Sequence, residues 1–385
     1  MNRLLTTAAV VLGAAGGGVL QQSAYSLPTM IRLGYTDCAS CHKSPQGGGL
    51  LNEYGRGIDE AQSLRAAEYK PTDNSIIRGL SWGGRITQDI RTVTQETLSS
   101  ATGKAVTGVL RNRWMYRNAT ELGKGFRVST VVNIENEEAP RPLLKYERPD
   151  RVGNAYVSTA LLSYRRGNNL EFSVGRDQLP SGLNVSDLGL FIKSRERMGY
   201  YDAPTQAKMF WWGKRHMVVP YVYAPGGNEP GGEHEGGGGL LAEVDVFGKH
   251  RTVVGMNMLR GTATNYSRTQ VGPYARLGFG RWGVFAEHDI TRRSLVRPTA
   301  VSFDQQASYA QVFFAAREWL VAYAGIERLS VEKPYADHLV AGRFDLVARL
   351  NSNFTVGFSS RVQQNMITGA IGPSLALQVA FKTSN

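Results

Sequence analysis

The sequence predicts an all-β fold: a transmembrane antiparallel β-barrel of about 16 strands, with a small α-helical module ahead of it. Three observations predict this. Long stretches alternate apolar with polar residues at period two, the pattern of strands whose two faces meet different surroundings. The links between those stretches alternate in length, tight then long, and an outer-membrane barrel sorts its short periplasmic turns from its longer outer loops in this way. Past the N-terminal segment no run of about 18 apolar residues occurs, and mean hydropathy is -0.27. Helical membrane spans are thereby excluded.

Strands are expected near 76–91, 105–118, 125–135, 153–164, 169–178, 205–213, 216–224, 238–248, 251–260, 269–279, 281–291, 307–316, 318–329, 338–350, 353–363 and 370–381. In the first, Leu80, Trp82, Gly84, Ile86 and Ile90 form one row, while Arg85, Thr87, Asp89 and Arg91 fall on the other. The last two repeat the split, with Phe354, Val356, Phe358 and Val362 against Thr355, Gly357, Ser359 and Arg361, and Leu377, Val379 and Phe381 against Ala376, Gln378 and Lys382. In a soluble sandwich the apolar rows would face a core; in a membrane barrel they face lipid and the charged rows line the lumen. Link length decides for the barrel. Arg166-Gly167-Asn168, Gly213-Lys214-Arg215 and Asn351-Ser352-Asn353 are tight, whereas 136–151, 179–204 and 292–306 are long. An even strand number leaves both chain ends on the periplasmic side.

The N-terminus has Asn2-Arg3, an apolar run to Leu20, and Ala24-Tyr25-Ser26. This is the pattern of a cleaved export signal over 1–26, with small residues where the peptidase reads. The mature chain is then expected from Leu27.

Both cysteines of the chain lie in Asp37-Cys38-Ala39-Ser40-Cys41-His42-Lys43. Cys-x-x-Cys-His is the attachment sequence of a c-type haem: two thiols reach the two vinyl groups and the following imidazole binds the iron. A redox disulfide or half of a zinc site would need a thioredoxin-like strand and helix, or a second ligand pair at finger spacing, and neither surrounds the motif. One covalent haem c with its iron is therefore the expected cofactor, with Cys38, Cys41 and His42 holding it. Met30 is the expected sixth ligand, since a thioether in the same module would raise the reduction potential; Met115 in the second strand and an open or water-bound iron are the alternatives. His216, His250, His288 and His338 fall at strand ends or on apolar rows and read as surface or interface residues.

The haem module is expected over 27–75 and the barrel over 76–385. Leu27 to Tyr35 reads as extended, Ser44 to Gly49 as a glycine-rich link, and Leu50 to about Lys70 as one helix with Leu51, Tyr54, Ile58 and Ala61 on one face. So short a module must borrow walls for its haem, and a wide barrel has room for it as a plug. Arg85, Arg91, Arg111 and Arg113 then either serve the haem propionates or line an anion-favouring pore. Segment 175–204 is long enough to fold inward as a constriction loop. Glu229, Glu233, His234 and Glu235 could capture a hard cation such as ferrous iron, or be ordinary loop acids. The net charge of +12 forms no run or stripe, so nucleic acid is not the expected partner; outer-membrane lipid, lipopolysaccharide and anionic solutes are.

The haem motif followed by Leu51-Asn52-Glu53-Tyr54-Gly55-Arg56 and then a barrel resembles the fused monohaem cytochrome-porins of bacterial outer membranes, whose best-known members are iron oxidases. The local likeness covers about 35–60; over the barrel it is architectural, and the glycine-rich link departs from those enzymes. The resemblance implies electron transfer through the haem between an extracellular donor or acceptor, ferrous iron among them, and a periplasmic electron-carrier cytochrome. It implies the haem role for Cys38, Cys41 and His42. A diffusion porin with a structural or sensory haem module is the alternative, and a soluble periplasmic haem protein a third reading.

Overall fold

A computed structural model describes residues 28–65, 85–100, 106–135, 154–185, 189–199, 203–225, 235–247, 251–295 and 300–384. The expected signal peptide, Glu229, Glu233, His234 and His250 lie outside the described residues. Sixteen strands close into one antiparallel barrel in sequence order. They are β1 (Ile86–Ser99), β2 (Thr107–Gly123), β3 (Phe126–Glu135), β4 (Asn154–Arg166), β5 (Leu170–Arg176), β6 (Thr205–Trp212), β7 (His216–Ala224) and β8 (Gly236–Asp245). The second half comprises β9 (Thr252–Thr262), β10 (Tyr266–Phe279), β11 (Trp282–Leu295), β12 (Val301–Arg317), β13 (Leu320–Val331), β14 (Asp337–Arg349), β15 (Phe354–Asn365) and β16 (Ile371–Ser384). The seam is β1 against β16, in register from Asp89 opposite Ser384 to Ser99 opposite Ser374. Closure matters because an open edge would leave backbone N–H and C=O groups without partners in hydrocarbon.

Period two decides which side chains face out. Ile90, Trp114, Val174, Val222, Ile326 and Leu377 stand exposed on the outer wall, an apolar surface that suits lipid rather than water. Aromatic pairs cross neighbouring strands beside the tight turns: Phe126 with Tyr164 (4.7 Å), Trp282 with Phe314 (4.4 Å) and Phe354 with Phe381 (5.0 Å). They form the aromatic girdle expected where a barrel wall meets headgroups.

Three expectations are corrected. The first strand runs on to Ser99 instead of ending near 91, so Val93 to Ser99, read as loop, pair with β2 and β16, while 76–84 lie outside the described residues. Arg85 precedes β1 and is exposed at the short-turn edge instead of lining the lumen. The segment read as extended before the haem motif is a 3-10 turn over Pro28–Leu33, because Ile31 must reach the lumen, where it is 1% exposed.

The lumen is not uniformly polar. Residues 177–185 and 189–199 fold inward, and Leu183, Leu190, Phe191 and Ile192 pack with Phe285, Phe303 and Phe313 of the β9–β14 wall and with Ile31. Buried carboxylates hold this constriction loop. The backbone N–H of Leu183 donates to Glu287 (2.8 Å), that of Phe191 to Glu327 (3.0 Å), and Thr291 donates to Glu196 (2.5 Å). Half of the barrel is thus filled, while the β1–β6 half stays open as a polar cavity.

Candidate cofactor site at the short-turn mouth

Residues 28–65 sit in the barrel mouth that bears the tight turns. Arg32 donates to Gln62 (2.9 Å) and pairs with Glu318 of the β12–β13 turn (2.7 Å). Lys43 pairs with Glu121 at the end of β2 (3.2 Å), and the backbone of Leu64 and Arg65 donates to the carbonyls of Arg349 (2.8 Å) and Leu350 (3.2 Å). Ion pairs and main-chain bonds therefore fasten the plug to several separate points of the rim.

Within the plug the Cys-x-x-Cys-His stretch is one tight turn. The Asp37 side chain accepts from the Ala39 N–H (2.9 Å), capping a 3-10 turn over Cys38–Ser40, and the His42 N–H donates to the Cys38 carbonyl (3.0 Å). His42 then bridges to Leu51 as a short antiparallel pair, with the Lys43 N–H donating to the Leu50 carbonyl (2.9 Å). Asn52 explains the segment that follows. It caps α1 (Glu53–Ala61) by accepting from the Gly55 N–H (2.8 Å), while its own amide donates to the carbonyls of Ala39 (3.3 Å) and Ser40 (3.0 Å). Gly55 is glycine because a Cβ there would collide with the Cys41 carbonyl. The Leu-Asn-x-Tyr-Gly-Arg segment thus docks a helix on the cysteine turn. That helix is nine residues long and ends at Ala61, shorter than the expected span to about Lys70; the residues from 66 to 84 lie outside the described residues.

The docking creates a cavity that opens toward solvent. From the plug it is lined by Met30, Cys41, His42, Leu51, Ile58 and Asp59, and from the seam wall by Arg91, Arg117, Arg349 and Lys382. Met30 and His42 come from different segments and face one space. Cys41 is buried in its wall. Cys38 is half-buried beside Gly47 and does not line the cavity; both thiols are free.

Charge around the cavity is ordered. Asp59 takes Lys382 (2.7 Å) and Arg349 (3.5 Å); burial alone would raise its pKa, but these cations outweigh burial and hold the carboxyl below its ordinary value. Burial, then the neighbouring Arg117 charge, pushes the His42 imidazole down to about 4, leaving it neutral at physiological pH, as a metal ligand must be. The carbonyls of Gly48 and Leu50 approach this ring, yet its buried Nδ1 makes no hydrogen bond of ordinary geometry among the described residues. Burial pushes the Cys38 thiol up to about 11.

Other expected residues lie elsewhere. Met115 faces inward but lines, with Arg113 and Arg127, the separate lumen cavity; Arg111 lines neither space. His216 stands on a tight turn against Trp211, His288 bonds Ser308 (2.8 Å) and His338 bonds Ser330 (3.0 Å), so none approaches His42. Glu235 is buried and accepts from Arg268 (2.8 Å) and from the hydroxyls of Tyr223 and Tyr266. A carboxylate so occupied is no open cation site. Sequence reasoning missed Asp59, Arg117, Arg349 and Lys382. Arg117 was within reach, on the same inward row as Arg113; the other three meet only because β14, β15, β16, β1 and β2 are neighbours across the seam.

No family model matches the chain, and no curated protein sequence does. Solved structures do resemble it. In-vitro folded OmpT, an outer-membrane protein of Vibrio cholerae, gives a TM-score of 0.57 at 11% identity, over 77% of this chain and 99% of that one. The anion-selective porin from Comamonas acidovorans gives 0.56 at 8% identity, over 77% and 99%. The outer-membrane channel DcaP of Acinetobacter baumannii gives 0.54 at 8%, over 77% and 96%. At such identities the likeness is one of fold and supplies no family for the N-terminal module. The chain has the closed 16-strand antiparallel barrel of the outer-membrane porins.

Proposed function

We propose that the protein is an outer-membrane electron conduit, a porin-type barrel whose periplasmic mouth holds one covalent haem. It exchanges electrons between a periplasmic electron-carrier cytochrome and a redox partner outside the cell. One observation carries this reading: His42 and Met30, from separate segments, line one cavity with Cys41 in its wall and four cations at its seam. A haem bound there supplies a one-electron iron couple. The chain's own residues do the rest. With haem present, Cys41 in the cavity wall and Cys38 behind it would be the attachment thiols, the neutral His42 imidazole and the Met30 thioether would be the ligands on offer, and Leu51 and Ile58 would supply apolar lining. Arg91 suits a carboxylate, which binds a guanidinium through charge-assisted hydrogen bonds, whereas Arg117 is held by Asp89 (2.6 Å) and Arg349 and Lys382 by Asp59. The tight-turn end is assigned to the periplasm because both barrel termini lie there.

A second reading, a diffusion porin whose haem module is structural or sensory, is favoured by the open half of the lumen. Between the plug and the constriction loop lies a cavity lined by six cationic side chains, Lys43, Arg91, Arg113, Arg117, Arg127 and Lys208, against two acidic ones, Glu171 and Asp177. Such a chamber admits anions more readily than cations.

Liposomes separate the two. Protein that retains peroxidase-active pigment on a denaturing gel is reconstituted around a trapped redox dye. Reduction of the dye by an external donor without leakage supports the conduit, and His42→Ala abolishes it while heat-modifiable gel mobility stays. Leakage of small anions with no reduction supports the porin and defeats the first reading.

A further inference from the structure

The net charge of +12 has an address. Lys124 sits in the β2–β3 turn, Arg166 at the end of β4, Lys214 and Arg215 in the β6–β7 turn, Arg281 in the β10–β11 turn and Arg317 at the end of β12. These six fall in five of the seven short turns, and exposed Arg251 stands in a sixth, ahead of β9, where Gly, Asn or Ser would make the turn equally well, as Asn351-Ser352-Asn353 does in another. All six side chains are exposed, and none makes an ion pair among the described residues. Three acids of this mouth are engaged where the plug is fastened, Glu121 by Lys43 (3.2 Å), Glu318 by Arg32 (2.7 Å) and Asp59 by Lys382 (2.7 Å), while Glu53 beside Tyr54 stays exposed. The turn cations have no carboxylate partner among the described residues.

The plug inside this ring exposes large apolar side chains: Tyr54 is 52% exposed, Leu64 49% and Leu33 39%. An apolar centre inside a charged rim is the anatomy of a protein docking face. Anionic lipid headgroups would engage only cations turned toward the bilayer and would leave Tyr54 and Leu64 uncovered.

We infer that this ring and its apolar centre dock a soluble electron-carrier protein whose own surface is acidic. The inference rests on the conduit reading for its purpose and compartment. A basic rim concentrates an acidic partner and orients it before contact, which raises the on-rate more than the final affinity. Tyr54, Leu64 and Leu33 supply the short-range contact.

The test uses the full chain in nanodiscs of phosphatidylcholine, with an acidic plant-type ferredoxin as probe and basic mitochondrial cytochrome c as counter-probe, both read by surface-bound interferometry. Ferredoxin binds, its Kd rises about tenfold or more between ~20 and ~200 mM salt as screening sets in, and cytochrome c does not bind. Reversing four turn charges together, Lys214→Glu, Arg215→Glu, Arg281→Glu and Arg317→Glu, abolishes ferredoxin binding and admits cytochrome c, with heat-modifiable mobility retained as evidence of a folded barrel. Tyr54→Ala weakens ferredoxin binding without altering its salt slope. Absent or salt-independent ferredoxin binding, or binding unchanged by charge reversal, overturns the inference. So does ferredoxin binding that vanishes in discs containing phosphatidylglycerol while that lipid raises the Tm of the native rim but not of the reversed one. Because binding is read without electron transfer, a pigmented protein that docks ferredoxin yet passes no electrons defeats the conduit and leaves the docking face standing.

Discussion

Two glycines of α1, two residues apart, should respond oppositely to the same added methyl group. A Cβ on Gly55 would collide with the Cys41 carbonyl oxygen and lie 2.9 Å from its carbon, whereas a Cβ on Gly57 meets nothing within 4 Å. Carbon atoms pack at ~3.5–4.0 Å, so Gly55→Ala drives the helix back by ~1 Å. The Asn52 N–H to Cys41 carbonyl bond, 2.9 Å in the native plug, then stretches past the hydrogen-bonding range of ~2.7–3.2 Å. Overpacking costs about 2 kcal/mol and the lost bond about 1 kcal/mol, against a gain of about 1 kcal/mol from replacing glycine inside a helix. The net loss of ~2 kcal/mol is roughly a 30-fold rise in the undocked fraction of the plug. Gly57→Ala keeps only the helix gain and lowers that fraction ~5-fold. Hydrogen exchange of backbone amides over 50–65, in detergent-folded protein with unchanged heat-modifiable mobility, reads both effects. Equal exchange in the two variants, or faster exchange in Gly57→Ala, would falsify the packing of α1 on the cysteine turn.

Further outcomes follow from the same geometry. Cys38→Ala with Cys41→Ala removes peroxidase-active pigment from the denatured chain and leaves barrel mobility unchanged; pigment that survives denaturation would mean the attachment lies elsewhere. Glu235 is held at about 2, since Arg268 and Arg197, with the Tyr223 and Tyr266 hydroxyls, outweigh the rise that burial alone would cause. A depressed carboxyl contributes stability above its ordinary value near 4.5 and loses it as pH falls through about 2. Glu235→Gln therefore unfolds more easily than the native chain at pH 7 by about 3 kcal/mol, and urea titrations should show that gap shrinking between pH 4.5 and 2; a gap independent of pH would refute the charge assignment. Gln46 ties the plug to the constriction loop, donating to the carbonyls of Gln178 and Leu179 (3.2 Å each) and accepting from Lys208 (2.6 Å). Gln46→Ala frees this latch, and single-channel recording should register a larger conductance; an unchanged trace would place the barrier to flow elsewhere.

Much of the barrel was legible because its code is local. Lipid outside and polar groups inside impose period two on each strand, and the strands appear near their expected places, though the first runs on to Ser99 where 91 is expected and the twelfth starts at Val301 where 307 is expected. Those extensions were missed because Val93 to Ser99 and Val301 to Gln306 are rich in Thr, Ser, Gln and acids, which read as loop. The apolar filling of the β9–β14 half was illegible: Phe191 and Ile192 sit in a segment with no periodicity, and only their packing on Phe285 and Phe313 reveals their place. The Cys-x-x-Cys-His pattern stood out in the sequence, and Cys38, Cys41 and His42 do lie within one short turn.

By itself, then, the sequence determined what depends on neighbours along the chain: the strand rows, the parity of the turns, the cysteine turn and the glycine that lets α1 press against it. Tertiary structure alone decided what shares a space. Met30, Asp59, Arg91, Arg349 and Lys382 are scattered over the whole length, and they line one cavity because barrel closure sets the last strand beside the first and the plug enters the mouth at that seam. Closure is a property of the sheet as a whole, so no local window of residues contains it.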